Sequence, residues 1–189
     1  MSVMSIDKII KGCKAKDRKC QQALYQITAI DLMRVAQRYM KNKDEAKDIF
    51  QEAYLKIFQK IDQFDPQKGS IGAWAGRIVS NLAIEKLRGK KVFSNIENLP
   101  VALHPVSKED ILGRISADEL LAVIHDLPES YRIVFLLYIV EGYSHKEISK
   151  KLKITESTSR SQLVRARSKL KLLIQKKNKL NPMYYGEVK

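Results

Sequence analysis

The sequence predicts an all-α fold: two small helical domains joined by a linker, the C-terminal one containing a helix-turn-helix. Three observations carry that expectation. Apolar residues recur at three- and four-residue steps along most of the 189 residues, as they do on helices that share a core. No alternating apolar/polar run is long enough for a convincing strand. The net charge of +14 is also divided: residues 1–91 carry 19 basic and 10 acidic side chains, residues 92–127 carry 2 and 6, and residues 128–189 carry 14 and 5. Two basic blocks about an acidic stretch suggest two modules that each meet a polyanion, against the plainer alternative of a solvated, lysine-rich surface.

In the first block, residues 18–40 offer Leu24, Ile27, Ile30, Met33, Ala36 and Met40 as an inward stripe. Residues 44–61 repeat the pattern with Ala46, Ile49, Ala53, Ile57 and Ile61. Residues 70–88 show Ile71, Trp74, Ile78 and Leu82, with Ser70 placed to cap the start. Between the last two helices, Pro66 and Gly69 in DQFDPQKGSIG imply a defined turn. Residues 89–108 hold Gly89, Pro100 and Pro105 without a helical period and read as a linker.

The second block gives helices over 117–126 and 128–141, with Pro128 in a first turn where its missing N–H costs nothing. SHKEISKKL then opens on a capping box of Ser144 and Glu147. Lys153, Ile154 and Thr155 lead into a longer helix from Glu156 to about Gln175, Thr155 being a natural N-cap. Short helix, tight turn and long basic helix form the helix-turn-helix pattern, without the usual glycine in the turn. The domains accordingly run over 1–91 and 117–176, with a linker at 92–116 and a C-terminal tail at 177–189.

Removing the core stripes leaves three polar faces. On the last helix Leu163, Ala166 and Leu170 point inward, so Ser157, Arg160, Ser161, Val164 and Arg165 lie outward near its start. Those are the positions from which a recognition helix reaches base edges, and arginine can bond guanine with both arms. Arg167, Lys169, Lys171, Lys176 and Lys177 extend the charge toward phosphates, which position without reading sequence. On the 70–88 helix, Arg77, Asn81, Glu85 and Arg88 make a continuous stripe that reads equally as a base-reading surface or as surface ion pairs. On the 44–61 helix, Asp48, Gln51, Glu52 and Leu55 adjoin one another. That acidic face would repel DNA and suits a basic protein partner; the alternative is an exposed helix whose early acids favour its dipole.

Enzyme readings are poor. His104, His125 and His145 are scattered, with no HExxH, no His/Cys pair at ligand spacing, no glycine-rich phosphate loop and no G-x-S-x-G elbow. Cys13 and Cys20, two helical turns apart, read as packed thiols rather than a metal or redox pair, and imply a reduced, cytoplasmic setting. No cofactor is expected. The longest apolar run, Ile133 to Val140, is eight residues, too short to span a membrane. The N-terminal MSVMSIDKIIKGCKAK has charges inside its apolar stretch and no small-residue cleavage site, unlike a signal peptide.

KNKDEAKDIFQEAYLKIFQKIDQFD followed by GSIGAWAGRIVSNLAIEKLRGKK resembles region 2 of bacterial RNA polymerase sigma factors, and LPESYRIVFLLYIVEGYSHKEISKKLKITESTSRSQLVRARSKL resembles region 4. With nothing resembling region 3 between them, the layout is similar to the extracytoplasmic-function (ECF) group. The resemblance covers roughly residues 20–175. It implies a non-enzymatic initiation factor whose partners are core RNA polymerase and promoter DNA, with an anti-sigma factor left open. By the same resemblance, Asp48, Gln51, Glu52 and Leu55 dock on the polymerase. Phe64 and Lys68 in the Phe64–Ser70 loop, with Arg77, Asn81, Glu85 and Arg88, recognise and open the −10 element. Ser157, Arg160, Ser161, Val164 and Arg165 read the −35 element. Three residues depart from the family pattern: Glu85 stands for the usual Asp of D-x-x-R, Ser159 for an apolar packing residue, and Ser149 for Ala. The rival reading is a stand-alone helix-turn-helix regulator that binds a palindromic operator as a dimer.

Overall fold

A computed structural model of the chain describes residues 4–89 and 117–180, and all the regular structure among them is helical. The expected linker at 92–116 lies outside the described residues, as do Lys90, Lys91 and the tail beyond residue 180. The chain divides into two compact units, Met1–Lys86 and Leu87–Lys189.

The N-terminal unit begins with a helix that the stripe reading did not anticipate, α1 (Ile6–Lys14). Ser5 caps it by accepting from the Lys8 amide, and Ile9, Ile10 and Cys13 are its buried face. Burial, then the neighbouring Cys20 and Asp17, push the Cys13 thiol up to about 11. Both cysteines are free and buried, in keeping with packed thiols. The corner into α2 (Arg18–Tyr39) is tight. Lys16 adopts a left-handed φ of 60°, and Asp17 caps α2 through the amides of Lys19 and Cys20.

The inward line of α2 is Cys20, Leu24, Thr28, Leu32, Ala36 and Tyr39. This corrects the predicted stripe: Leu24, Ala36 and Met40 are buried, whereas Ile27 and Ile30 are exposed, Ile30 by 69%. Thr28 takes the buried place because its hydroxyl is satisfied there, within 2.7 Å of both the Leu24 carbonyl and the Tyr54 hydroxyl. Asn42 then caps α3 (Lys43–Lys60), whose predicted inward residues Ala46, Ile49, Ala53, Ile57 and Ile61 are all buried.

Two 3-10 turns, Ile61–Gln63 and Pro66–Lys68, carry the chain to α4 (Ile71–Gly89). Gly69 sits between them and α4 at φ 142°, a conformation that side chains rarely adopt. Ser70 caps α4 as expected, its Oγ accepting from the Ala73 amide at 3.2 Å. The buried face is Ile71, Ala75, Val79, Leu82, Ala83 and Leu87. Trp74 and Ile78 are half-buried on its flank, whereas the small residues Ala75 and Ala83 are fully buried.

The C-terminal unit holds α5 (Ala117–His125), α6 (Glu129–Phe135), α7 (His145–Leu152) and α8 (Glu156–Leu180). Pro128 lies just outside α6 as its N-cap residue rather than inside the first turn. The helix expected as far as 141 does continue past Phe135, but through a π turn over Leu136–Val140. Ser144 and Glu147 form the predicted capping box on α7. In the turn that lacks glycine, Lys153 takes the left-handed conformation, φ 56° and ψ 44°, a place usually given to Gly or Asn. Thr155 caps α8, accepting from the Thr158 amide at 3.0 Å. Leu163, Ala166 and Leu170 point into the core.

Candidate nucleic-acid interface

The two capped helices α7 and α8 fix which side of α8 meets solvent. Ser157, Arg160, Ser161 and Val164 are exposed and Arg165 is half-buried. They lie along the first turns, opposite the inward Ser159, Gln162, Leu163 and Ala166. Arg160 is held by an ion pair to Glu156 at 2.8 Å one turn earlier, which keeps its guanidinium over the N-terminal end of the helix. The Ser161 hydroxyl is committed to the Thr158 carbonyl at 3.0 Å. Arg160 and Arg165 therefore offer long charged donors on the two flanks of the outward face, and Val164 between them offers an apolar contact of the kind that suits a thymine methyl.

Ser159 is fully buried, and it does not leave a packing hole. Its Oγ lies 2.9 Å from Nδ1 of His145, the first residue of α7. The His145 ring stacks on Tyr138, with centroids 4.5 Å apart and planes inclined by 24°. Burial, and then the positive charge of Arg160, hold His145 below the usual imidazole range. Sequence reasoning named Ser159 only as a departure and did not pair it with His145. Their partnership crosses two helices, and no local spacing announces it.

The second surface is on α4. Arg77, Asn81, Glu85 and Arg88 are all exposed and fall on one face. In the preceding loop, Lys68 projects into solvent and pairs with Asp65 at 3.4 Å. The Gln67 amide holds the Asp65 carboxyl below the usual carboxylate range. Phe64 differs from expectation. It is only 4% exposed and packs edge-on against Trp74 at 5.6 Å, so it anchors the loop, and a contact between its ring and a base is not available in this conformation. Lys14 of α1 adds a tether by donating to the Phe64 carbonyl at 3.3 Å.

The third surface is acidic. Asp48, Gln51, Glu52 and Leu55 are exposed together on α3, Leu55 by 65%. The acids are partly matched by the chain's own lysines, Asp48 by Lys86 at 3.6 Å and Glu52 by Lys56 at 3.0 Å. Beside them lies a groove of about 430 Å³ lined by Tyr25, Met33, Phe50, Tyr54 and Leu55 among others. Its floor is an aromatic cluster, with Tyr25 4.7 Å and Phe50 5.0 Å from Tyr54. The groove was not foreseen, because α2 closes it with Tyr25 and Met33; the aromatic spacing Phe50, Tyr54, Phe58 was its only sequence signal.

Among the described residues, no group of His, Cys, Asp or Glu could hold a metal ion, and no helix is long and apolar enough to cross a membrane. Residues 24–92 match sigma-70 region 2, and residues 117–170 match sigma-70 region 4. Over 144 residues the chain is 33% identical to the RNA polymerase sigma factor SigZ of Bacillus subtilis, covering 75% of this chain and 79% of that one. It is 28% identical over 180 residues to the ECF RNA polymerase sigma factor SigW of the same organism, covering 89% and 96%. Against the ECF RNA polymerase sigma factor SigE of Mycolicibacterium smegmatis it is 30% identical over 145 residues, 73% of this chain and 55% of that one.

Proposed function

The chain belongs to the ECF sigma factors of bacterial RNA polymerase, and we propose that its three surfaces divide the work of promoter-specific initiation. As a sigma factor it binds core RNA polymerase and directs it to promoters. In our reading it is a regulatory subunit of the cytoplasmic transcription machinery, and RNA synthesis belongs to the polymerase active site. Ser157, Arg160, Ser161, Val164 and Arg165 of α8 read −35 duplex. Lys68 and the α4 stripe Arg77, Asn81, Glu85 and Arg88 meet the −10 element. Asp48, Gln51, Glu52 and Leu55 of α3, with the aromatic groove beside them, dock on the polymerase.

One observation carries this division: the outward face of α8, with Arg160 exposed and Arg165 half-buried on its two flanks, on a helix whose start is fixed by the Thr155 cap. Arginines on a rigid helix can meet guanine edges with both arms, whereas floppy lysines serve phosphate. Two weak DNA contacts become one strong one when the polymerase fixes their spacing. Run-off transcription with core polymerase on randomised promoter libraries tests the reading. Enrichment of two separated sequence blocks is the expected result. A single palindromic block bound without polymerase would identify a stand-alone operator-binding regulator instead.

A further inference from the structure

The contact between His145 and Ser159 lies where the two helices of the reading motif meet. Ser159 immediately precedes Arg160, and its Oγ faces inward while the Arg160 guanidinium faces out. The His145 ring is clamped from two sides, by the Ser159 hydroxyl at 2.9 Å and by the Tyr138 ring at 4.5 Å. Tyr138 lies in the π turn that ends the α6 helix, so one imidazole joins three successive elements. We propose that His145 and Ser159 form a hydrogen-bonded latch that sets the rotation of α8 against α7, making His145 a positioning residue for −35 recognition. The inference rests on reading α8 as the −35 element reader.

The physical reason is directional. Two apolar residues at this crossing would tolerate small rotations of α8, whereas a hydrogen bond weakens steeply when misaligned. Bidentate contacts from arginine to a base require the fork to arrive in plane. A latch one residue from Arg160 transmits its constraint directly to that fork.

The surroundings of the latch disfavour a charged imidazole. His145 sits at the N-terminal end of α7, where a helix dipole disfavours positive charge. The charged groups on α8 that act on it are Arg160 and Arg167, which oppose protonation, and Glu156, which favours it; Tyr138 is the titratable group facing it from the α6 side. The folded ring thus binds a proton less readily than the unfolded one. Its contribution to stability is fully present above the unfolded imidazole value of about 6.5 and is lost as pH falls through the lower folded value.

The test uses holoenzyme assembled with the full chain. It measures the ratio of affinities for promoter duplex with an intact −35 element and with that element scrambled. Ser159→Ala and His145→Phe, the latter keeping a ring on Tyr138, should each lower the ratio about threefold to tenfold, the worth of one hydrogen bond. The double variant should be no worse than either single one. His145→Asn, which can still bond the serine, should retain the wild-type ratio. Thermal melting of each variant separates loss of fold from loss of selectivity. Additive losses, or an unchanged ratio in both single variants of normal stability, would overturn the latch. Arg160→Ala is the control. If it relaxes −35 preference while Ser159→Ala does nothing, the latch alone is wrong; if it too leaves the ratio unchanged, the reading of α8 is wrong and the latch goes with it.

Discussion

Gln162 occupies an inward position on α8 with a side chain suited to water. It is fully buried, and among the described residues neither its Nε2 nor its Oε1 has a hydrogen-bond partner. A buried amide left unpaired costs about 1–3 kcal/mol relative to a matched one. Gln162→Met keeps the length, removes the orphaned polar atoms and should stabilise the C-terminal unit by about 1 kcal/mol or more. Chemical denaturation reports this directly, and a midpoint that falls in the variant would mean the amide has a role in holding α8. Ser159, three residues earlier, shows the contrasting case. It is equally buried, yet its hydroxyl is matched by His145. Sequence alone could mark both as polar residues at core positions, since helical spacing from Leu163 and Ala166 places them inward. It could not tell the satisfied one from the orphan, because the partner is supplied by another helix.

Among the helices, the register of α3 was legible throughout and those of α2 and α4 only in part. α3 has apolar residues on one side and charges on the other, so its inward face has one solution, and Ala46 through Ile61 fill it. α2 is apolar on more than one side. Its buried line passes through Thr28 and leaves Ile27 and Ile30 outside, because packing on α1 and α3 outweighs hydrophobicity. On α4 the bulky Trp74 was an obvious core candidate, yet it is half-buried while the small Ala75 and Ala83 are fully buried. α1 escaped notice because only nine residues long, with lysines throughout, it shows barely two turns of pattern. It is nonetheless tightly fitted. A Cβ on Gly12 would lie 2.7 Å from the Cys20 Cβ, a distance that requires α1 to move off α2. Gly12→Ala should therefore cost about 1–3 kcal/mol despite its better helix propensity, the usual penalty for overpacking, and native-state labelling of Cys13 and Cys20 should accelerate. Unchanged stability would mean α1 can shift freely. The α4 stripe calls for a different measurement. Asn81→Ala holoenzyme should locate −35-containing DNA normally but open it poorly, since extruded bases expose edges that the duplex hides. Rescue on a template already mismatched across −10 would assign Asn81 to melting, whereas a persistent defect with altered base preference would assign it to readout. Wild-type opening on duplex promoters, with unchanged preference, would return the stripe to an ordinary solvated face.

For the molecule as a whole, charge sorts the surfaces by partner. A chain of net charge +14 is drawn to DNA and to any other polyanion, and a cluster of acids standing out from α3 is poorly suited to such a partner. Asp48 and Glu52 flank Gln51 and Leu55, and an aromatic groove continues the apolar part of the face. Acids around an exposed leucine match a basic protein surface with an apolar centre. The own-chain pairs, Asp48 with Lys86 and Glu52 with Lys56, are surface pairs of a kind worth at most about 1 kcal/mol each, so they neither fix the fold nor prevent exchange for a partner's cations. Asp48→Lys combined with Glu52→Lys should therefore leave the melting temperature nearly unchanged. Against core polymerase the same double reversal sets like charges across the interface, which costs several kcal/mol, on the order of a hundredfold in affinity. The loss should fall equally on every promoter. The ratio between intact and scrambled −35 sequences, measured at polymerase concentrations high enough to restore holoenzyme, should stay at the wild-type value, since α8 is untouched. A folded double variant that binds core polymerase with full affinity would remove α3 from the polymerase interface. One that binds normally but loses −35 discrimination would instead tie the acidic face to promoter choice.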